Sequence, residues 1–404
     1  MSKKKYILTV CSTILATLAV VVLALFILVK TTNIYSIIAT LSAGNGTTSK
    51  LESILNTLDE RHLYEIDKEK LLDAAIKGMM DAVDDPYTYY LTAEEYKQST
   101  EVKNPSFTGI GVMVNKTSSP DAILITEVYE DSHLYALGIK AGTEIVAVEG
   151  VRITESNKDQ VLDTIAGEIN TFVEITFRLD GEEFTQSIQR RIIRVPQTVS
   201  SVFDGNVGYI RLRSFQNTSA EDFKKSLSQL REQNITSLII DLRGNGGGYK
   251  HIALELADMF VGKGVICSTV NNSEVISTDY TKDDGVFDLP FAVLVDGTSA
   301  SASELFAGAI QDHGTGLLVG TVTFGKGIVQ YTNKLGDGSY YQYTAETWLT
   351  PNGRYIHGVG LTPDIVVELE DDLQYYIDSQ PSLVPSPSYD LQLKAAIDAL
   401  LAEK

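Results

Sequence analysis

The chain has 404 residues, with 33 Lys and Arg against 53 Asp and Glu, which gives a formal net charge of −20. Surfaces that bind nucleic acid are rich in Lys and Arg, so this balance argues against a nucleic-acid partner. Apolar residues make up 44% and charged residues 21%, a composition that excludes a largely disordered chain. Because this length exceeds what one hydrophobic core usually organises, we expect several folded units.

The cysteine and histidine content argues against cross-links and metal centres. The two cysteines, Cys11 and Cys267, give no disulfide framework, and neither a CxxC nor an HExxH spacing occurs. We therefore predict no metal and no other cofactor.

An apolar segment lies close to the N-terminus. Ile7–Val29 is an uncharged run of 23 residues, about 35 Å long as a helix, which is enough to cross a bilayer core. Three lysines at positions 3–5 precede it and only Lys30 follows at once, so the N-terminus is predicted to be cytoplasmic and the rest extracytoplasmic. A cleaved signal peptide is the alternative, but its apolar core is usually only about 7–15 residues. We expect a single-pass cell-membrane protein with residues 1–30 as its anchor.

The next two regions differ in their apolar pattern. Residues 31–101 form an N-terminal helical region, because apolar residues recur at helical spacing around Leu51–Leu58 and Leu71–Met79. Residues 102–186 form a β-rich module with a helix at Asp159–Ile165. Its predicted strands are Ile110–Val114, Ala122–Val128, Glu144–Val148 and Val173–Leu179.

Strands and helices alternate from Val207 onward. The predicted strands are Gly208–Leu212, Ser237–Leu242, Phe291–Val295, Leu317–Val319, Gly327–Val329, Tyr340–Thr344 and Ile365–Glu368. The predicted helices are Ala220–Gln233, Tyr249–Phe260 and Ser301–Asp312. This order predicts an α/β core over residues 187–370 with a largely parallel sheet, whose functional loops follow Leu242 and Val295. Residues 371–404 are assigned to a Pro/Ser linker at Pro381–Ser388 and a C-terminal helix at Leu391–Leu401.

Three segments of this core could carry chemistry. The first is the glycine cluster Asp241–Gly248, which follows a predicted strand. Its backbone N–H groups could bind an oxyanion or a phosphate, because glycine allows close approach. However, the cluster lacks the Walker Lys-Ser/Thr pair and the GxGxxG spacing, so an ordinary tight turn is the simpler interpretation of this segment alone.

The other two segments contain serines and a lysine. Gly297–Glu304 lies at a strand-to-helix turn, where serines usually cap the helix, and we expect that role for Ser299 and Ser303. Phe324–Gln330 places Lys326 between two glycines. A lysine in apolar surroundings can lose its proton near neutral pH and act as a general base, whereas an ordinary lysine is a solvated surface residue.

Together the three segments resemble the C-terminal processing peptidases, also called tail-specific serine proteases, over nearly the whole chain from Leu51 to Leu401. The resemblance implies a crotonase-like core with an inserted PDZ domain, N-terminal helices and one transmembrane helix. It further implies Ser301 as nucleophile, Lys326 as base and Gln330 as the residue that orients the base. The backbone N–H groups of Gly247 and Ala302 would form the oxyanion hole.

Residues 102–186 resemble a PDZ domain. Phe107–Val112 is similar to the PDZ carboxylate-binding loop, and Leu137–Val146 is similar to a second PDZ segment. The resemblance implies that Gly109, Ile110 and Gly111 bind a substrate's C-terminal carboxylate, and that substrates are polypeptides with free, apolar C-terminal tails. Asp85–Leu91, Gly208–Arg211 and Leu361–Ile365 also match the peptidase family, and we interpret them as structural.

Two alternatives stay open from the residues alone. His251 follows the glycine loop and His313 ends the helix after Ser301, so a Ser–His arrangement competes with the Ser–Lys one; we interpret both as surface or packing residues. The second alternative is a noncatalytic PDZ scaffold with a vestigial peptidase core, against which the intact Ser301, Lys326 and Gln330 argue. By resemblance, the terminal helices are dimerisation elements, and a regulatory partner is compatible with the sequence.

Overall fold

The computed structural model describes residues 17–18, 20–21, 47–102, 106–271, 274–282, 287–369, 374 and 384–402. The chain divides into two units, and the boundary between them in the sequence lies between Asp84 and Asp85. The predicted span Ile7–Val29 lies almost entirely outside the described residues, as do Cys11 and part of the predicted linker Pro381–Ser388. No helix in the described ranges is both long and apolar enough to cross a membrane.

The first unit contains the two helices predicted from the apolar spacing. These are α1 (Thr47–Arg61) and α2 (Lys68–Asp81). α2 begins after Asp67, whose carboxylate accepts a hydrogen bond from the backbone N–H of Lys70 at 3.0 Å. Such an N-cap pairs one of the backbone donors that a helix start leaves without an intrahelical partner.

The second unit contains the remaining elements of the described chain. Its helices are α3 (Ala93–Val102), α4 (His133–Ala136), α5 (Lys158–Ile165), α6 (Ser219–Glu232), α7 (Lys250–Asp258), α8 (Ala302–His313) and α9 (Leu391–Ala402). Its strands are β1 (Tyr89–Leu91), β2 (Ser106–Gly109), β3 (Val112–Asn115), β4 (Ile123–Val128), β5 (Glu144–Val148), β6 (Val151–Arg152), β7 (Phe172–Leu179), β8 (Glu182–Gln189), β9 (Arg191–Arg194), β10 (Thr198–Phe203), β11 (Val207–Leu212), β12 (Ser237–Asp241), β13 (Val265–Asn271), β14 (Glu274–Tyr280), β15 (Phe291–Val295), β16 (Leu317–Gly320), β17 (Ile328–Lys334), β18 (Tyr340–Leu349) and β19 (Ile365–Val366).

The predicted β-rich module has its own sheet and core. The strand order is β3-β4-β5-β7-β8, with β6 paired to β5. Ile123, Ile145 and Phe177 are fully buried and share one apolar cluster with Val161 of α5. Among the described strands β3 pairs with β4 alone, so it forms an edge of this sheet.

The predicted parallel sheet is present and carries helices on both faces. Its order is β10-β11-β12-β15-β16-β19, and every neighbouring pair after β11 is parallel. β11, β12 and β15 are buried along their whole length, as expected for strands covered on two sides. The main cluster joins this sheet to α6, α7 and α8. The strand and helix alternation of the sequence is therefore confirmed.

The C-terminal helix α9 covers the opposite face of the parallel sheet. Leu393, Ala396 and Leu400 are buried against sheet residues that include Ile239 and Leu294. The apolar face of α9 is therefore covered within the chain.

A second, antiparallel sheet has the order β1-β18-β13-β14, with β17 also paired to β18. The loop that carries Lys326 leads into β17, whereas Ser301 follows β15 of the parallel sheet. The two predicted catalytic residues therefore come from two different sheets.

Candidate active site

Ser301 occupies a turn with unusual backbone geometry. It is the N-cap of α8, and its φ of +58° and ψ of −111° lie in a region that residues with a side chain rarely adopt. Such conformations persist only where surrounding contacts hold them, and they concentrate at functional sites. The backbone N–H of Ser301 donates to Oε2 of Glu304 at 2.8 Å.

The turn before Ser301 is held by Asp296. Its Oδ1 atom accepts hydrogen bonds from the backbone N–H groups of Thr298 at 2.9 Å and Ser299 at 3.0 Å. The Thr298 hydroxyl donates to the same oxygen at 2.7 Å and accepts from the Gly244 N–H at 3.0 Å. Thr298 thereby joins the serine turn to the glycine loop.

The predicted capping roles of Ser299 and Ser303 are wrong, because the helix starts at Ala302 with Ser301 as its cap. The Ser299 hydroxyl donates to the Leu242 carbonyl at 2.8 Å, and the Ser303 hydroxyl donates to the Asn245 carbonyl at 2.7 Å. Both serines therefore attach the serine turn to the glycine loop.

The glycine loop packs directly on the serine turn, which brings the two predicted oxyanion residues together. A Cβ atom on Gly247, whose φ is +99°, would lie 2.5 Å from the Ala300 carbonyl oxygen and 2.9 Å from the Ala302 nitrogen. Only glycine fits this approach. The N–H of Gly247, however, donates to Oδ1 of Asn245 at 2.9 Å, so in this conformation the N–H assigned to the oxyanion already has a partner.

Asn245 is a buried organising residue that the sequence analysis did not single out. Its side-chain amide donates to the Leu212 carbonyl at 2.8 Å, which leaves Oδ1 facing Gly247. Its carbonyl accepts from the Ala300 N–H at 3.1 Å as well as from Ser303. Its backbone N–H donates to the Leu242 carbonyl at 3.1 Å, so the loop shape depends on one asparagine that uses all four of its polar groups.

The start of the glycine loop, at the end of β12, is anchored by a buried ionic cluster. Arg243 forms ion pairs with Asp241 at 2.7 Å and with Asp390 at 2.8 Å, and all three side chains are 0% exposed. Burial by itself raises the pKa of Asp241, but Arg243 beside it holds that pKa below its ordinary value. Because Asp390 immediately precedes α9, the cluster connects the C-terminal helix to the glycine loop.

Glu304 joins the serine turn to the lysine loop. This fully buried carboxylate accepts from the Thr323 hydroxyl at 2.6 Å and from the Gly325 N–H at 2.7 Å through Oε1. Through Oε2 it accepts from the backbone N–H groups of Ser301 and Lys326, each at 2.8 Å. An acid three residues after a helix cap is a known pattern, and it is the signal that could have identified this residue.

The glycines on either side of Lys326 are needed because the 356–360 segment packs against them. A Cβ atom on Gly325 would lie 2.9 Å from the Gly360 nitrogen, and one on Gly327 would lie 2.9 Å from the His357 nitrogen. The Lys326 ammonium lies over the ring of Tyr87, with Nζ 4.1 Å from the ring centroid. The lysine is therefore partly enclosed by protein on several sides.

Ser301 and Gln330 line one cavity of about 230 Å³. Its other lining residues are Gly248, Tyr249, Lys250, Ala302, Leu305, Ile328, Val329 and Trp348. The Nε2 atom of Gln330 is buried and has no hydrogen-bond partner among the described residues. The cavity thus combines apolar walls with an amide donor close to the predicted nucleophile.

The competing histidines have other surroundings. The His313 ring is hydrogen-bonded through Nε2 to the Val265 carbonyl at 2.7 Å, and His251 is exposed beside Tyr249. Their interpretation as packing and surface residues is confirmed. Within the described ranges no group of three or more His, Cys, Asp or Glu side chains is arranged to hold a metal ion.

The predicted carboxylate-binding loop lies between β2 and β3. Gly109 ends β2, Ile110 is buried, and Gly111 has a φ of +75°. A Cβ atom on Gly111 would lie 2.4 Å from Cβ of Ser132, so glycine is required there. The edge strand β3 follows directly, and Lys116 beyond it pairs with Asp159 of α5 at 2.6 Å. The far end of β3 is therefore joined to the start of α5, and Ile110 of the loop shares one apolar cluster with Val161 of α5.

Comparison with known proteins explains why these loops occur together. Residues 206–367 match the model of Peptidase family S41, and residues 29–95 match that of the activating protease CtpB N-terminal domain. Residues 206–367 therefore belong to peptidase family S41. The resemblance to C-terminal processing peptidases is therefore confirmed.

Individual proteins are also similar to this chain. Probable CtpA-like serine proteases of Staphylococcus aureus and Staphylococcus epidermidis are each 34% identical over 79% of this chain. The chain spans 64% and 65% of the length of these relatives, respectively. A solved S41 protease from Bacteroides fragilis is 14% identical, with a TM-score of 0.52 over 87% of this chain and 97% of that one, and so shares the fold.

Proposed function

We propose that this protein is a serine endopeptidase in which Ser301 is the nucleophile and Lys326 the general base. The observation that carries the proposal is the Glu304 carboxylate, whose Oε2 atom binds the backbone N–H groups of both residues. One buried anion thus fixes a strained serine and a glycine-flanked lysine relative to each other. A structural turn alone would not need an acid with four hydrogen-bond donors around it.

The reaction needs a proton acceptor because a serine hydroxyl is a weak nucleophile. Neutral Lys326 takes the Ser301 proton as Oγ bonds to the scissile carbonyl carbon. It then passes this proton to the leaving amine as the C–N bond breaks. Water attacks the acyl-enzyme in the same way, and its proton returns to Oγ. Gln330 orients the lysine, and the Ala302 N–H and the glycine loop stabilise the oxyanion.

The oxyanion site requires a rearrangement in this scheme. Gly247 can donate to an oxyanion only after its N–H leaves Asn245 Oδ1, which lies 2.9 Å away. The described conformation therefore fits a resting state, and substrate binding would release the donor. Because this release depends on substrate binding, only polypeptides that trigger it are hydrolysed.

The substrate is an extended polypeptide with a free, apolar C-terminal tail. The edge strand β3 leaves backbone groups available for an added strand, and Gly109, Ile110 and Gly111 precede it as the carboxylate-binding loop of a PDZ domain. In the catalytic cavity, Leu305, Ile328 and Trp348 provide apolar walls for a side chain next to the scissile bond.

We further propose that residues 1–30 anchor the enzyme in the cell membrane with its catalytic part outside the cytoplasm.

The test is intact-mass analysis of an unfolded protein incubated with the full chain. Wild type should cleave it, whereas Ser301→Ala and Lys326→Ala should not. Lys334→Ala is the matched control, because this lysine lies at the far end of β17 and should be dispensable. Cleavage by Ser301→Ala would exclude the proposed nucleophile. No cleavage by wild type, with tail binding retained, would favour the noncatalytic scaffold.

A further inference from the structure

The Asp85–Leu91 motif has a contact that a purely structural role does not explain. The Lys326 Nζ lies 4.1 Å from the centroid of the Tyr87 ring, within the range of a cation–π interaction. Tyr87 is 239 residues away in sequence, so this contact is built by the tertiary fold. A ring face attracts an ammonium, and it also accepts a weak hydrogen bond from a neutral amine.

The turn that carries Tyr87 is itself firmly held. Asp85 accepts from the Tyr87 N–H at 3.0 Å and from the Thr88 hydroxyl at 2.6 Å. The Thr88 hydroxyl in turn accepts from the Thr344 N–H at 3.2 Å, and the Tyr87 carbonyl accepts from the Gln342 side chain at 3.1 Å. Tyr87 is thereby fixed against β18, the strand that pairs with the one carrying Gln330.

We propose that Tyr87 is a positioning residue for the catalytic lysine, an inference that rests on the proposed function. A neutral lysine amine has two N–H donors and one lone pair. If the Tyr87 ring takes one N–H and the Gln330 carbonyl oxygen takes the other, the lone pair is left for the Ser301 hydroxyl. Tyr87 thus selects the rotamer of Lys326 that can accept the serine proton.

The ring also has a predictable effect on the pH dependence. The charged and titratable groups around Lys326 include Glu304 at its backbone, Asp85 and Tyr87 in the turn, and His357 in the loop against Gly327. The two carboxylates and the Tyr87 ring all favour the ammonium form over the amine, and the ring can be removed without a change of charge. Without the ring, the lysine loses its proton more easily, so the acid limb of the rate profile moves to lower pH.

The first experiment compares kcat/KM against pH for three tyrosine variants of the full chain. We expect Tyr87→Leu to lower the plateau at least about tenfold and to move the acid limb down by roughly half a unit to one unit. Tyr87→Phe keeps the ring and should stay within about twofold of wild type. The matched control is Tyr96→Leu. Tyr96 lies outside the site, and the centroid of its ring is 5.8 Å from Nζ of another lysine, Lys334.

A second readout does not depend on peptidase activity. Lysines are reductively methylated with ¹³C-formaldehyde, and the Lys326 signal is assigned by its loss in Lys326→Arg. The ring current of Tyr87 should shift this signal upfield in wild type, Tyr87→Phe and Tyr96→Leu, and the shift should disappear in Tyr87→Leu. The proposal requires both readouts, so an unmoved Lys326 signal or an unmoved acid limb overturns it. If wild type shows the shifted signal but has no peptidase activity, the proposed function is overturned, whereas the contact between Tyr87 and Lys326 is retained.

Discussion

Oε2 of Glu304 accepts a hydrogen bond from the backbone N–H of Lys326, 22 residues further along the chain, at 2.8 Å. The same oxygen binds Ser301, so the carboxylate acts on both loops at once. In Glu304→Gln, an NH₂ group replaces one carboxylate oxygen. This hydrogen-bond donor would face N–H or O–H groups that are themselves donors. We predict that Glu304→Gln lowers kcat/KM at least about a hundredfold and destabilises the fold by about 1–3 kcal/mol.

Steady-state kinetics and urea unfolding test this prediction together. Glu346→Gln is the matched control, because Glu346 is a partly exposed acid of β18 whose side chain accepts only from the Tyr331 hydroxyl among the contacts described. Unchanged kinetics in Glu304→Gln would show that the carboxylate does not position the catalytic loops.

The glycine loop contains two neighbouring glycines for which we predict opposite effects of an alanine substitution on peptidase activity. Gly247→Ala should abolish measurable peptidase activity, because its Cβ would lie 2.5 Å from the Ala300 carbonyl oxygen at a φ of +99°. Gly246→Ala should retain activity within about twofold, since no atom lies within 4 Å of its added Cβ. The measurement is cleavage of an unfolded protein by each variant, after circular dichroism has shown that both are folded. Equal activities would contradict the packing described for this loop.

The buried ionic cluster should dominate the stability of the C-terminal helix. Asp390→Ala leaves Arg243 buried with Asp241 as its remaining ion-pair partner, and we expect a loss of about 3–5 kcal/mol in the free energy of unfolding. The control is Asp398→Ala, which removes an exposed pair with Lys394 and should cost less than about 1 kcal/mol. Chemical denaturation measures the free energy of unfolding of both variants. Similar losses would contradict a stabilising role of the buried cluster.

The same cluster predicts acid sensitivity. The pKa of Asp241 in the folded protein lies below its ordinary value of 3.8, because the adjacent Arg243 outweighs the effect of burial. The folded state therefore binds fewer protons than the unfolded state, and the stabilisation present above the ordinary pKa is lost as pH falls through the folded one. We expect Asp241→Asn to be less stable than wild type near neutral pH and to lose less stability between about pH 5 and pH 2. The free energy of unfolding is measured against pH for both proteins. If it falls equally in wild type and Asp241→Asn, the prediction is contradicted.

Tail recognition can be tested with one chemical change in the ligand. A peptide with an apolar C-terminus should bind the full Ser301→Ala chain, and amidation of that terminus should weaken binding at least about tenfold, because the amide lacks the anionic oxygen that the loop amides bind. A peptide with an amidated C-terminal carboxyl and an added internal aspartate controls for net charge. Equal affinities by calorimetry would exclude carboxylate capture at Gly109–Gly111.

The elements that the sequence predicted well are those with local signals. Strands β5 and β15 have the predicted bounds, and the α7 and α8 helices agree within two residues, because apolar spacing and glycine breaks lie within each segment. β13 and β14 were not predicted; in β14 the residues Glu274–Ile276 are all exposed, so its pattern lacks the alternation of a half-buried strand.

The parts of the site that sequence did not predict depend on distant partners. Ser299 was expected to cap a helix, but its hydroxyl binds Leu242, 57 residues away. Asn245 binds backbone groups of distant segments, and no local residue pattern predicts this. Glu304 carries the capping-box signal, but its hydrogen bonds to Gly325 and Lys326 form only in the folded chain. Tyr87 belongs to a motif that was noticed, yet its contact with Lys326 becomes visible only when the antiparallel sheet is assembled.

The ion pair between Arg243 and Asp390 has a consequence for the timing of biosynthesis. Asp390 is translated 147 residues after Arg243, so the glycine loop lacks its anchor until nearly all of the described chain has been made. At about 5–20 residues per second, this interval lasts on the order of ten to thirty seconds. The start of the glycine loop therefore gains this ion pair only after the segment that leads into α9 has been made.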